Sequence, residues 1–281
     1  MEVKFNHVFY VYNEKTALSK MALGDINTTF KEGKITSIMG KSGSGKTTLI
    51  ELINALILPT KGNIEVGSRV ISKTRKIKNI NNLRYKIGLV FQMPEEQFFC
   101  STVKEEIEFG MKYFNKSVKS IEKHVSDALI MIGLDDSYLN RNPFSLSSGE
   151  MRKVAIASIL AFNPKVIILD EPTIGLDNKS KENLIKIIKL LKNRYKKTII
   201  VVSNDTDLLL KISDHVILLD KGKIVLEGNK YDVFKQDIEK YSLKRPKIIE
   251  FEQLVLEKKG IKIGYRDDIN DLMKDVYRYV K

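Results

Sequence analysis

Residues 40–47 read GKSGSGKT, between the apolar run KITSIMG (34–40) and the stretch KTTLIELINALIL (46–58). A glycine-rich turn in that setting leaves the chain little freedom, because a strand's carboxyl end must meet a helix amino terminus directly. Gly40, Gly43 and Gly45 let the backbone N–H groups of a loop that also contains Lys41, Ser42 and Ser44 turn inward as an anion nest. The helix amino terminus, with Thr48 in its first turn, adds positive potential. Lys46 suits the β- and γ-phosphates of a nucleotide, and the Thr47 hydroxyl suits the accompanying Mg²⁺. The turn is a nucleotide site.

Such a turn belongs to an α/β fold, and other runs agree. KIGLVF (86–91), KVIILD (165–170) and TIIVVS (198–203) are continuously apolar and separated by helix-length segments. That pattern predicts a mainly parallel core sheet covered on both faces. The first 30 residues and residues 62–72 alternate more, which predicts an antiparallel β portion. Residues 104–142 have helical spacing, so a helical subdomain is expected within about 93–163. Near 235 the pattern changes, and a small carboxyl-terminal extension, 236–281, follows the main domain of 1–235. LIELINALIL (49–58), interrupted by Glu51 and Asn54, reads as a buried helix rather than a membrane span. MEVKFNHVF lacks a signal-peptide pattern, so a cytosolic protein is expected. The single Cys100 excludes an internal disulfide framework, and His7, His124 and His215 share no metal-ligand spacing. The net charge of +13 reads either as a Lys-rich solvated surface or as attraction to an anionic leaflet. No stretch alternates arginine with aromatics, and no nucleic-acid partner is expected.

KVIILDE (165–171) supplies a second element. Asp170 falls at a strand's carboxyl end, where it can hold the Mg²⁺ shell, and Glu171 can orient and deprotonate an attacking water. Adjacent carboxylates downstream of a phosphate-binding loop favour hydrolysis over binding alone. Between these elements lies LSSGE (146–150), which resembles the LSGGQ signature of ABC ATPases. Further matches keep that family's order. Gln92 stands as the Q-loop glutamine, Asp177 of GLD (175–177) as the D-loop aspartate, and Tyr12 where an aromatic stacks on adenine. The resemblance implies a head-to-tail dimer with two ATP molecules between subunits. Ser147, Ser148, Gly149 and Glu150 of one subunit would face the ATP on the other's phosphate loop. Gln92 would join Thr47 and Asp170 around Mg²⁺.

FQMPEEQFF (91–99), followed by TVKEEIEFG (102–110), looks like the ATP-binding subunits of energy-coupling factor transporters. These import vitamins or transition-metal ions through a membrane T component and a substrate-capturing S component. Glu95 and Glu96 are expected partners for arginines on the T component's coupling helices. LKRPKIIEFEQLVLEKKGIKIGYRDDINDLMKDV (243–276) resembles the family's dimerising extension, and with MPEEQ favours the second of its two paralogous ATPases. That implies a peripheral protein on the cytoplasmic face of the cell membrane. Alternatives are the ATPase of another importer or exporter, or a soluble ABC ATPase acting on DNA or ribosomes. The single phosphate loop and the short spacing to the signature speak against the last.

Three positions depart from the family. Ser148 replaces a glycine, and Glu150 a glutamine whose replacement would add charge near the partner's ATP. In IIVVSNDTD (199–207), Asn204 stands where these ATPases carry a switch histidine. It reads as a substituted γ-phosphate donor, as an N-cap of a helix beginning near Asp205, or as both. One defect for each composite site argues for a heterodimer.

Overall fold

The apolar runs at 35–39, 87–90, 166–170 and 198–202 are buried along their whole length. In the computed structural model, which describes all residues except 76–78, 115–120, 262, 263, 265, 267, 268 and 281, they are neighbours in one sheet.

The elements run as follows. Strands β1 (Val3–Tyr12), β2 (Lys20–Phe30) and β3 (Ile35–Met39) precede α1 (Lys46–Ile53), β4 (Lys61–Val66) and β5 (Arg69–Ile71). Helix α2 (Ile80–Lys86) enters β6 (Ile87–Val90), and α3 (Val103–Phe114), α4 (Ile121–Met131) and α5 (Ser148–Leu160) form the helical segment. Then come β7 (Val166–Asp170), α6 (Asn178–Asn193), β8 (Thr198–Val202), α7 (Thr206–Ile212), β9 (His215–Asp220) and β10 (Lys223–Asn229). Helices α8 (Lys230–Phe234), α9 (Lys247–Lys259) and α10 (Ile269–Val280) close the chain.

The six-stranded sheet is ordered β10-β9-β3-β8-β7-β6 and is parallel except for β10. The four-stranded sheet, β2-β1-β4-β5, is antiparallel. Side-chain alternation divides the core into two layers. Ile167, Leu169, Ile199 and Val201 pack with α5, α6 and α7. Ile168, Ile200 and Val202 pack on the other face with α1 and with Phe5, Leu23 and Ile64 of the antiparallel sheet.

Two local expectations change. The helix expected over 46–58 stops at Ile53, and Leu56 and Leu58 are exposed. The chain turns left-handed at Ala55 (φ 50°), where the Ala55 and Leu56 N–H groups donate back to the Leu52 and Glu51 carbonyls and close the helix end. The seven-residue α2 carries too short a pattern to be seen in the sequence; Asn79 caps it by accepting from the Asn82 N–H.

The extension folds back on the main domain. Ile248, Ile249 and Leu272 join the apolar cluster of α6 and α7, while Phe251, Leu254 and Leu256 stay exposed. Residues 115–120 of the expected insertion and 262, 263, 265, 267, 268 and 281 of the tail lie outside the described residues. Among the described residues no helix is long and apolar enough to cross a membrane.

Candidate functional site

Between Met39 and Lys46 the backbone turns from the end of β3 into the start of α1. Gly40 has φ 148°, and a Cβ there would stand 2.2 Å from the Leu219 carbonyl oxygen of β9. Helix α1 has no side-chain N-cap hydrogen bond and no acid in its first turn, so its leading N–H groups face an anion unopposed. Lys46 donates to the carbonyl oxygens of Gly40 and Lys41. Burial lowers the Lys46 pKa against the pull of Glu171 and Asp170.

One cleft of ≈ 630 Å³ gathers Tyr12, Ser42, Gly43, Gly45, Lys46, Thr47, Thr48, Gln92, Asp170, Glu171 and Asn204. Behind it, Ser44 is buried and Lys41 lies 3.7 Å from Asp220. The Tyr12 hydroxyl and the Thr48 hydroxyl are 2.9 Å apart, which fixes the ring at the mouth.

Asp170 ends β7 and is buried. Burial raises its pKa, Lys46 pulls it back, and Glu51 adds to the rise. Glu171 follows at φ 44°, its N–H donating to the Val202 carbonyl at 2.8 Å. Burial raises its pKa too, while a hydrogen bond from Ser203 at 3.0 Å and the charge of Lys46 oppose the rise. A carboxylate of raised proton affinity is a better general base for water at neutral pH. Among the described residues no three His, Cys, Asp or Glu side chains converge as a metal cluster. The oxygens of Thr47, Gln92 and Asp170 are a hydroxyl, an amide carbonyl and a single carboxylate. Such a donor set fits Mg²⁺, which keeps waters and shares a nucleotide's phosphates.

Asn204 does not cap α7. The N-cap is Asp205, whose carboxylate accepts from the Leu208 N–H at 3.0 Å. The helix starts one residue later than an Asn204 cap requires, and Asn204 Oδ1 instead accepts from the Gly40 N–H at 3.2 Å.

The signature residues lie apart, in a second cleft lined by Ser147, Gly149, Glu150 and Asp177. Ser147 caps α5, and Ser148 opens the helix. The Glu150 carboxylate turns back to accept from the Ser147 N–H at 3.0 Å, the Ser147 hydroxyl at 2.7 Å and the Tyr138 hydroxyl at 2.7 Å. These bonds hold its pKa at about 2. Its charge is therefore present and engaged by hydrogen bonds within the subunit. Asp177 caps α6 in the same manner, accepting from the Ser180 N–H and hydroxyl at 2.9 Å each.

Glu95, expected to meet the T component's arginines, is paired inside the subunit. Both its oxygens lie 2.7 Å from the guanidinium of Arg152, which is 1% exposed. Arg152 further donates to the Pro172 and Ile174 carbonyls. The bidentate internal pair commits both Glu95 oxygens to Arg152, whereas Glu96 is exposed. Arg152 and Ser203 were missed in the sequence. The signal for Arg152 is a charged residue on the buried stripe of α5, which demands a partner. For Ser203 the sequence carries no signal; only the parallel register of Asp170 with Val202 sets the next residues side by side.

A family model described as ABC transporter matches residues 23–174. The energy-coupling factor transporter ATP-binding protein EcfA2 of Enterococcus faecalis is 42% identical over 236 residues, covering 84% of this chain and 82% of its own length. EcfA2 of Staphylococcus epidermidis is 40% identical over 261 residues, covering 92% and 91%. Among solved structures, cbiO1 from Clostridium perfringens, part of the ABC transporter complex cbiONQ, has a TM-score of 0.76 at 33% identity, covering 89% of this chain and 98% of its own. The ATP-binding cassette MJ0796, solved as a dimer after hydrolysis with ADP and Pi, has a TM-score of 0.70 at 31% identity, covering 81% and 98%.

Proposed function

The chain belongs to the ABC transporter family as an ATPase of the energy-coupling factor type, and from that premise we propose that it powers import of vitamins or transition-metal ions. In this reading it pairs with a paralogous ATPase and docks on a membrane T component that works with an S component. It is thereby a peripheral protein of the cytoplasmic face. One observation carries the proposal: the phosphate loop with Asp170 and Glu171 lines one cleft, and Ser147, Gly149 and Asp177 line another. Each cleft holds half of the ABC constellation, so a second subunit completes both. Residues 1–235 act as the ATPase domain and 236–281 as the dimerising extension, with exposed Phe251 and Leu254 as contacts.

ATP sits with its adenine on Tyr12 and its phosphates in the nest of Gly40 to Thr48. Mg²⁺, when bound, would be held by Thr47, Gln92 and Asp170 and would neutralise phosphate charge. Glu171 takes a proton from the attacking water, and Asn204 offers an amide donor near the γ-phosphate. Ser147, Ser148, Gly149 and Glu150 approach the partner's ATP, and Asp177 meets the facing subunit. Glu96 remains the carboxylate for the T component.

Two experiments test this reading. Recovery of the protein from native membranes should bring down a T component; recovery with a two-subunit permease instead would reassign it to another transporter class. Glu171→Gln should lower turnover by about 10²–10⁴-fold while ATP binding stays within reach of the parent's. Parental turnover would remove Glu171 from the role of base.

A further inference from the structure

Ser203 is fully buried at the end of β8, and its hydroxyl makes two hydrogen bonds. Its oxygen accepts from the Asp205 N–H at 3.1 Å. It also lies 3.0 Å from Glu171 Oε2. An ionised carboxylate can only accept, so the Ser203 hydroxyl is the donor in the second contact. With a lone pair engaged by the Asp205 N–H, the single hydroxyl proton is free to point at the carboxylate. The turn after β8 thus holds the carboxylate through the Ser203 hydroxyl.

The neighbouring side chain serves another purpose. Asn204 Oδ1 accepts from the Gly40 N–H and so braces the phosphate loop. Glu171 itself leaves the strand at φ 44°, an uncommon backbone for a residue with a Cβ, so its side chain is aimed by what holds it. Ser203 supplies the side-chain hydrogen bond that does this.

We propose that Ser203 is the positioning residue of Glu171: its hydroxyl sets the carboxylate's orientation toward the attacking water, while the Asn204 side chain holds the phosphate loop. The proposal rests on Glu171 being the base. A residue that only closes the turn into α7 would affect folding and nucleotide affinity together. A positioning residue affects turnover alone.

The test uses the assembled transporter with the second ATPase subunit made hydrolytically inactive, reading ATP turnover and KM for ATP. Ser203→Ala should lower kcat by roughly 10–100-fold, the usual effect of removing a hydrogen bond behind a functional group, with KM unchanged. Ser203→Thr, which keeps the hydroxyl, should recover most of the lost turnover. Should the alanine variant fail to assemble, Ser203→Cys retains the volume with a weaker donor and should still lower kcat at constant KM. Parental kcat in the alanine or cysteine variant overturns the proposal, as does a fall in kcat matched by a rise in KM that threonine leaves uncorrected. Glu171→Gln in the same assay separates the two ideas. If it is inactive while Ser203→Ala is not impaired, only the positioning role falls; if it is active, the base assignment falls first.

Discussion

In the phosphate-binding cleft, burial raises the pKa of Asp170 and Glu171 and lowers that of Lys46. On the signature face the shifts run the other way: hydrogen bonds hold Glu150 at about 2, and those from Ser180 keep Asp177 below the usual carboxylate range. The first half-site keeps its charges desolvated and close together, the arrangement that strengthens their action on a phosphate or a water. The second keeps its charges at the surface and satisfies them locally through helix caps. Chemistry needs groups whose charge is not already satisfied. Docking against another subunit needs a surface that is stable when the other subunit is away.

The backbone repeats the contrast and offers the largest test. At Gly40 an added Cβ meets a carbonyl oxygen at 2.2 Å, in a backbone conformation that only glycine adopts readily. At Gly149, within helix α5, it meets the Ser180 hydroxyl at 2.4 Å, the end of a side chain that can rotate. Gly40→Ala should destabilise the chain by upwards of about 3 kcal/mol and abolish ATP binding. Gly149→Ala should stay within about 1 kcal/mol of the parent, since alanine's helix preference offsets the contact. Thermal unfolding measures both, and equal losses would break the comparison.

A smaller effect is expected at Asn204, which lies between the two designs by bracing the loop with its own amide. Asn204→His should speed single-turnover hydrolysis at this site by less than about 10²-fold, because the asparagine already retains one donor. Equal or slower turnover would mean that Asn204 suffices as it stands.

The smallest effect concerns Glu150. Its folded pKa of about 2 lies below the ordinary 4.5, so its hydrogen bonds contribute stability above pH 4.5 that is lost as pH falls towards 2. The residue is half-buried, and solvent screens part of the contribution. The stability difference between parent and Glu150→Gln should therefore shrink on going from about pH 6 to about pH 3. A constant difference would mean that the carboxylate's charge adds nothing to the capping box.

Elements with local causes were legible in the chain. The glycine-rich turn, the apolar strands and the order of Gln92, LSSGE, Asp170 and Asp177 depend on residues near one another in sequence. From them the α/β class and the nucleotide cleft follow. The partners of single side chains were not legible. Glu95 reads as a free carboxylate until Arg152, 57 residues away, closes on it. Asn204 reads as a cap until the main chain of the phosphate loop, 164 residues away, proves to be its donor. Ser203 reads as the end of a strand until the register of β7 with β8 sets it beside Glu171. Strand and helix formation is decided by patterns of neighbours along the chain. A buried hydrogen bond is decided by which distant polar groups packing brings within 3 Å, and no local pattern carries that information.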